Sequence, residues 1–247
     1  MSPSLPLRQL SLWGSEPDAA PASRPEWRVR ESTRARRLSV RVWRDGTVEI
    51  VVPRRTRPAE VVDFVARHRD WIERQRGRAL ARPVEPFPPA EITLDALERR
   101  WRCVGAGGGR QLVDTGSGEL LLPAADERRL RRALLRWLAL TAQQAFAPSL
   151  ARLAAEMQVG YGRLQIRRQR TRWGSCSTRG TISLNACLLF QPPPVVRYLM
   201  VHELAHVTHM NHSPRFWRHV ARFEPRWRDL DRELLRGWTR VPRWALA

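Results

Sequence analysis

In this chain of 247 residues, the segment 202–206, His-Glu-Leu-Ala-His, limits the possible fold and chemistry more than any other. Residues four apart lie on one face of an α-helix, so His202 and His206 can offer two imidazoles to one metal ion. Glu203 follows the first histidine directly, close enough to take a proton from a metal-bound water. The mostly apolar run 195–201 before the segment is typical of a buried helix. The pattern predicts a zinc site on a helix, with Glu203 as the catalytic base of a hydrolase.

Two histidines compete for the position of third ligand. His212 lies six residues after His206, the spacing expected where a helix ends and the chain turns back, and Asn211 suits a left-handed residue in that turn. His209 is the rival, because it shares a helical face with His202 and His206. We favour His212, because a residue beyond the helix end can approach the metal from a new direction, as tetrahedral geometry requires. We expect His209 to be exposed or to lie behind the ligands.

The charge of the chain is strongly positive. Its formal net charge is +20, from 44 basic and 24 acidic residues, and every basic residue is arginine. Such a field is expected to attract polyanions, including nucleic acids, and to be screened by salt. The arginines are concentrated in clusters. We expect the arginine cluster at 128–136 to be a solvated helix face, whereas the arginine cluster at 167–172 favours an anionic substrate near the metal. A third cluster lies at 34–37.

Cysteine usage and hydropathy indicate a cytoplasmic protein. Cys103, Cys176 and Cys187 are too few and too irregularly spaced for a disulfide framework, which favours a reducing compartment. No run approaches 18 uninterrupted apolar residues, so neither a transmembrane helix nor a membrane partner is expected. Residues 1–25 are rich in Pro, Ser and Ala and lack the apolar core of a signal peptide, and we predict a disordered tail there.

The tail contains a short motif of its own. Gln9, Leu10, Ser11, Leu12 and Trp13 resemble the Gln-Leu-Ser-Leu-Phe type of peptide with which bacterial proteins dock on the DNA sliding clamp. Two leucines and an aromatic residue without an obvious core suit a peptide that anchors in a preformed groove. The alternative is that these apolar side chains pack on the N-terminal domain.

Hydrophobic periodicity divides the remaining chain into a β-rich region with one helix, 26–125, and a more helical region, 126–240. In the first region we expect a helix from Pro58 to about Leu80 and a hairpin turn at Asp45-Gly46. Its predicted strands are 27–34, 37–44, 47–52, 100–104, 111–114 and 119–122.

In the second region, a helix that begins at Asp126 is expected to break or kink near Pro148. The metal helix should begin after the three prolines 192–194. Strand 181–185 is our candidate for the sheet edge along which an extended peptide would lie by strand addition. Further elements predicted here are a strand over 163–170 and helices over 214–223 and 226–236.

Four segments, in a fixed order, carry a resemblance to a known family: Arg-Trp-Gly-Ser-Cys-Ser at 172–177, Gly-Thr-Ile-Ser-Leu-Asn at 180–185, the stretch 198–206 that ends in the histidine motif, and Met-Asn-His-Ser-Pro-Arg-Phe-Trp at 210–217. The chain resembles the YgjP-like predicted zinc metallopeptidases, relatives of the WLM and SprT-like hydrolases, and weaker similarity extends upstream to about Arg34.

This resemblance implies that His202, His206 and His212 bind Zn²⁺ and that Glu203 is the catalytic base. His209 departs from the family pattern, in which a charged residue is usual. The fold expected is α+β: a β-rich N-terminal half followed by a zincin-like helical half with a small sheet.

Three functional hypotheses follow. The first is a zinc metallopeptidase acting on proteins or peptides, and its alternative is a nucleotide pyrophosphohydrolase whose arginines hold phosphate. The third is a basic nucleic-acid-associated protein with a structural zinc. Glu203 counts against the third, because a closed structural site uses four protein ligands and needs no base. Arg172, Asn185 and His209 are candidates for binding substrate at the developing oxyanion.

Overall fold

A computed structural model describes residues 27–43, 46–81, 85–106 and 109–246. The chain divides into two compact units, 1–84 and 85–247. Strands dominate the earlier part of the described chain and helices the later part, which confirms the α+β fold class. No helix in the described ranges is long and apolar enough to cross a membrane. The predicted docking motif of the tail lies outside the described residues, and the three-part domain division stays a prediction.

The first unit consists of a three-stranded sheet and two helices: β1 Trp27–Ser32, β2 Ser39–Val42, β3 Val48–Pro53, α1 Pro58–Arg67 and α2 Arg69–Leu80. The central strand, β3, is parallel to β1 and antiparallel to β2, which confirms the strand pairing of the predicted hairpin, whereas Asp45 of its predicted turn lies outside the described residues. The side chains between sheet and helices form a core of their own, made of Val48, Ile50, Val52, Val61, Val65 and Ile72.

The prediction of a single helix from 58 to about 80 is wrong, because the helix is interrupted at His68. This residue leaves the helical region with φ −105° and ψ 6°, and its ring Nδ1 lies 2.8 Å from the carbonyl oxygen of Phe64. The Ile72 N–H nevertheless donates to the His68 carbonyl at 2.9 Å. The apolar face therefore continues across the break, and hydrophobic periodicity alone does not reveal it.

The second unit begins with a four-stranded sheet and a long helix: β4 Glu91–Leu94, β5 Arg99–Gly105, β6 Val113–Asp114, β7 Glu119–Leu122 and α3 Glu127–Glu156. The strand order is β4-β5-β7-β6. Of the predicted break or kink near Pro148, the break is wrong, since one helix runs through the proline, and the kink stays a prediction. Phe146 and Leu150, on either side of the proline, are both buried in the same core, and this packing outweighs the one lost backbone hydrogen bond.

The remaining strands and helices surround the histidine motif: β8 Arg163–Arg167, β9 Gly174–Cys176, β10 Thr181–Asn185, α4 Pro193–Thr208, α5 Pro214–Phe223 and α6 Trp227–Arg236. β10 is the centre of this sheet, parallel to β8 and antiparallel to β9. The prediction that strand 181–185 forms a sheet edge is therefore wrong. The three-residue β9 is too short to be recognised as a strand in the sequence, and it takes the edge position on one side.

Helix α4 is enclosed by protein on almost every side. Val201, Leu204 and Ala205 are fully buried in the main core of the second unit, and each leucine or valine buried in this way stabilises the fold by about 1.5–3 kcal/mol. At the helix start, Arg197 donates to the Phe223 carbonyl and pairs with Glu224 at 3.1 Å. A helix fixed at this depth holds its polar side chains in defined positions away from bulk water.

Candidate metal centre

The last turns of α4 and the loop after it bring three histidines together. One ring nitrogen from each of His202, His206 and His212 lies within 4.8 Å of the other two. The Nε2 atoms of His202 and His212 are 3.1 Å apart. Two nitrogens that share a tetrahedral zinc at about 2.0–2.1 Å lie roughly 3.3 Å from each other. The donor type and spacing of this cluster therefore fit a zinc ion.

The helix end gives His212 its different direction of approach. α4 stops at Thr208, and His209 continues in extended geometry, with φ −133° and ψ 90°. The next helix starts after Ser213, whose hydroxyl accepts from the Phe216 N–H at 3.4 Å. His212, between these two helices, faces back toward α4. The His209 ring instead lies against His219, with ring centroids 5.6 Å apart.

Hydrogen bonds on the Nδ1 side orient the two helical histidines. His206 Nδ1 lies 3.0 Å from the His209 carbonyl oxygen. A carbonyl only accepts, so Nδ1 carries the proton and Nε2 keeps its lone pair. His202 Nδ1 has a longer contact, 3.4 Å, with the Tyr198 hydroxyl, which donates to Asp231 at 2.8 Å. Burial, together with Asp231, raises the pKa of Tyr198 above its ordinary value, so the phenol stays a donor.

The surroundings keep these imidazoles neutral, as metal binding requires. Burial, together with the nearby His206 and His212 rings, lowers the pKa of His202 to about 3. Burial also lowers the pKa of His206, against the opposing effect of the His209 carbonyl.

Aromatic rings of α5 pack behind the histidines. Phe216 is fully buried and stacks on His206, with ring centroids 4.4 Å apart. Trp217 lies parallel to His212 at 5.5 Å and stacks on Trp227 at 4.1 Å. These contacts restrict ring rotation, so the cluster is largely organised by packing.

Glu203 lies beside this cluster with its carboxylate buried. Burial raises the pKa of Glu203 to about 8, and the charge of Arg172 opposes the rise. A Cβ atom on Gly174 of strand β9 would lie 2.6 Å from Glu203 Oε1, so only a glycine leaves room for the carboxylate. Its other oxygen, Oε2, is buried and has no hydrogen-bond partner among the described residues. Packing, and no hydrogen bond to Oε2, therefore holds this carboxylate in place.

The three predicted substrate-binding residues have different surroundings. Asn185 is 1% exposed, and its amide donates to the carbonyls of Gln169 and Arg172 at 2.6 and 2.9 Å. Both of its N–H groups are engaged, so Asn185 shapes the loop before β9 and has none left for a substrate. Arg172 is exposed and close enough to Glu203 to affect its pKa. His209 contributes its backbone carbonyl to His206.

Sequence reasoning assigned no role to three residues that support this centre, Tyr198, Asp231 and Gly174, although two of them lie in the segments that carry the family resemblance. Tyr198 precedes His202 by one helical turn, a spacing that places the two side chains on one face. Asp231 is 33 residues away from Tyr198, and Gly174 lies in a three-residue strand, so no local spacing links either of them to the site.

The comparison with protein-family models agrees with the chemistry of this centre. A model of the YgjP-like metallopeptidase domain matches residues 36–236. Among solved structures, the zymogen of the metallopeptidase abylysin from Pyrococcus abyssi is 24% identical, over 36% of this chain and 91% of abylysin, with a TM-score of 0.34. No protein of curated function matches the chain significantly.

Proposed function

The chain belongs to the YgjP-like metallopeptidase family, and on that premise we propose that it is a zinc-dependent peptidase with Glu203 as its general base. The observation that carries this proposal is the group of three histidine nitrogens within 4.8 Å of one another, next to a buried carboxylate. A metal, and a protein or peptide substrate, follow from the family. The identity of the metal and the roles of the residues belong to our proposal.

His202, His206 and His212 would hold the zinc through their Nε2 atoms, since the Nδ1 atoms of the first two face other partners. A zinc ion bound there would act as a Lewis acid that lowers the pKa of a water to about 7 and polarises the scissile carbonyl. Three protein ligands leave a coordination position open, as catalytic zinc sites require.

Glu203 would accept the proton of the attacking water and pass it to the leaving amine nitrogen. No described residue donates a hydrogen bond to Oε2, so this oxygen keeps its full capacity to accept a proton. Burial raises the pKa of Glu203, which makes its carboxylate a stronger base than one in water, and the positive charges of Arg172 and of a bound zinc would favour the deprotonated form that this role requires. Arg172, exposed on the same side, is our candidate for stabilising the negative charge that develops on the substrate oxygen.

The substrate chain is proposed to lie along β9 rather than β10. β9 is an edge strand, and it is the one whose Gly174 lies against Glu203. A peptide that adds to this edge would bring its backbone carbonyls next to the catalytic carboxylate. Asn185 and the Trp173 ring, which stacks on Trp238 at 3.8 Å, would keep the loop before β9 in place.

The proposed compartment is the cytoplasm, because Cys103, Cys176 and Cys187 are all free thiols. Docking on a sliding clamp through Gln9, Leu10, Leu12 and Trp13 stays a prediction, since these residues lie outside the described ranges.

Peptidase activity is tested with the purified full chain, zinc-loaded or stripped by a chelator, on casein and on a library of quenched fluorescent peptides. Nucleoside triphosphates are assayed in parallel. Cleavage of peptides that depends on zinc is the expected result. Release of pyrophosphate or phosphate from nucleotides, without any peptide cleavage, would contradict the proposal and favour the pyrophosphohydrolase alternative.

The ligand assignment is tested by metal analysis. His206→Ala should lose most of the approximately one zinc expected per chain, whereas the matched His209→Ala should retain it. Full zinc in the first variant, or loss in the second, would show that the assignment is wrong.

A further inference from the structure

A large groove lies in the second unit between the first half of α3 and the chain around β6. Its volume is about 930 Å³, and it contains none of the residues of the candidate metal centre. Its walls carry four arginines and one acid: Arg110, Arg129, Arg132, Arg136 and Asp114. The sequence predicted a solvated helix face at 128–136, but part of that face forms one wall of a concave surface.

Three of the arginines form a regular row. Arg129, Arg132 and Arg136 are separated by three and four residues and so project from one side of α3. Along a helix with a rise of about 1.5 Å per residue, neighbours in this row are roughly 4.5 and 6 Å apart. A ligand with several anionic groups in a row suits these three arginines better than a single phosphate does.

Most of this positive charge is available to a ligand. Arg129 lies 3.5 Å from Asp126. Arg110, Arg132 and Arg136 have no ion-pair partner in the part of the chain that the structure describes, and Arg132 and Arg136 are exposed.

The acid in the groove wall is engaged elsewhere. The carboxylate of Asp114 accepts hydrogen bonds from Trp101 Nε1 and Trp137 Nε1, each at 3.1 Å, and from the Gly116 N–H at 2.9 Å. Although burial raises the pKa of Asp114, these hydrogen bonds lower it below its ordinary value. Its oxygens therefore hold the two tryptophans in place and form no ion pair with the arginines of the groove among the described residues.

We propose that this groove binds the phosphodiester backbone of a nucleic acid strand. Guanidinium groups pair with phosphate oxygens through two parallel hydrogen bonds, and a row of them matches a row of phosphates. Leu140, which is 57% exposed at the end of the row, offers an apolar surface to a sugar or base. The net charge of +20 would attract the strand from a distance.

The test measures binding of a labelled single-stranded DNA oligonucleotide to the full chain by fluorescence anisotropy over a series of salt concentrations. The groove variant is Arg132→Gln with Arg136→Gln. The matched control is Arg74→Gln with Arg78→Gln in α2, which removes the same charge from two exposed arginines at the same helical spacing. Thermal unfolding of both variants should match the parent, because all four side chains are exposed.

The groove variant should bind about tenfold or more weakly, and its slope of log K against log salt should be shallower by about 1.4, or 0.7 per lost phosphate contact. The control should stay within about twofold of the parent. Equal losses in both variants would attribute binding to net charge and overturn the proposal. It would equally be overturned if poly-glutamate of matched charge bound as tightly and lost the same affinity in the groove variant. Since peptide cleavage is not the readout, failure of this proposal is distinct from failure of the peptidase proposal.

Discussion

The sheet β1–β3 of the first unit and the sheet β8–β10 of the second are built in the same way. In each, the first strand is parallel to the third, and the second returns as the antiparallel partner of the third. Each hairpin turn contains a glycine with positive φ, Gly46 at 83° and Gly180 at 70°. A helix with proline in its first turn follows each sheet. The two regions therefore share a topology that the sequence, which has no evident repeat, does not reveal.

The two regions differ in how their helices are enclosed. α1 buries Val61 and Val65 and exposes much of the rest. The ring of His68, at the end of this helix, lies within hydrogen-bonding distance of a backbone carbonyl of the same helix. α4 is enclosed on most sides, and its polar side chains find partners on other elements, Tyr198 on α6 and Glu203 against β9. Only the enclosed helix can hold neutral imidazoles and a carboxylate out of water, so the chemistry follows from burial and not from topology.

The largest effect that sharpens this comparison is expected for Glu203→Gln. The variant keeps the size of the side chain but removes the proton acceptor, so turnover on the active peptide should fall by roughly 100-fold or more. Zinc content should not change, because this residue is not a proposed ligand. The matched control is Glu60→Gln in α1, which should turn over like the parent. Undiminished turnover of Glu203→Gln would remove the general base from the mechanism.

Gly174→Ala should have the next largest effect. The added methyl group would meet the Glu203 carboxylate at 2.6 Å and force it to move. A displacement of about 1 Å in a catalytic group can cost on the order of 100-fold, so a loss of roughly 10- to 100-fold in kcat is expected. Gly105→Ala in β5 is the control, since its Cβ would meet nothing within 4 Å. If both variants keep parental kcat, the contact between β9 and Glu203 has no role in catalysis.

Part of the site is predictable from the sequence because it depends on short-range helical geometry. The spacing of His202, Glu203 and His206 fixes their shared face wherever the helix lies. The parts that were missed depend on tertiary contacts. β9 exists because a turn at 177–180 folds three residues back onto β10, with the Ser177 N–H donating to the Thr181 carbonyl at 3.0 Å. No periodicity can appear in a strand of three residues.

The same reasoning explains the errors in the helices. Proline argues locally for a break at residue 148, but the core on both sides of it decides the outcome for α3. At His68 the opposite occurs, since the hydrophobic periodicity continues through this residue while its backbone leaves the helical conformation. Local propensity does not decide the structure where packing stabilises it by more free energy than one hydrogen bond contributes.

A smaller effect on turnover is expected for Tyr198→Phe, which tests whether contacts between α4 and the elements around it orient His202. The variant deletes the hydroxyl between His202 Nδ1 and Asp231 without emptying the core. Loss of a hydrogen bond that orients a metal-binding histidine typically costs 10–100-fold in metal affinity. Zinc affinity measured by chelator competition should fall in that range, while turnover at saturating zinc should fall by less. Tyr161→Phe, at the other tyrosine of the chain, is the control, and equal zinc affinity in both variants would contradict the orienting role.

The smallest effect on turnover is expected for Ile50→Ala, in the central strand of the first unit. Ile50 is fully buried in the separate core of that unit, so truncation should destabilise it by about 2–5 kcal/mol. If the catalytic chemistry depends only on the enclosure of α4, turnover per bound zinc should stay within about twofold of the parent at a temperature where the variant is folded. Chemical denaturation followed by circular dichroism measures the first quantity, and peptide cleavage normalised to zinc content measures the second. A loss of turnover of tenfold or more in a folded, zinc-loaded variant would mean that the first unit takes part in catalysis, and the division of roles between the two sheets would then be wrong.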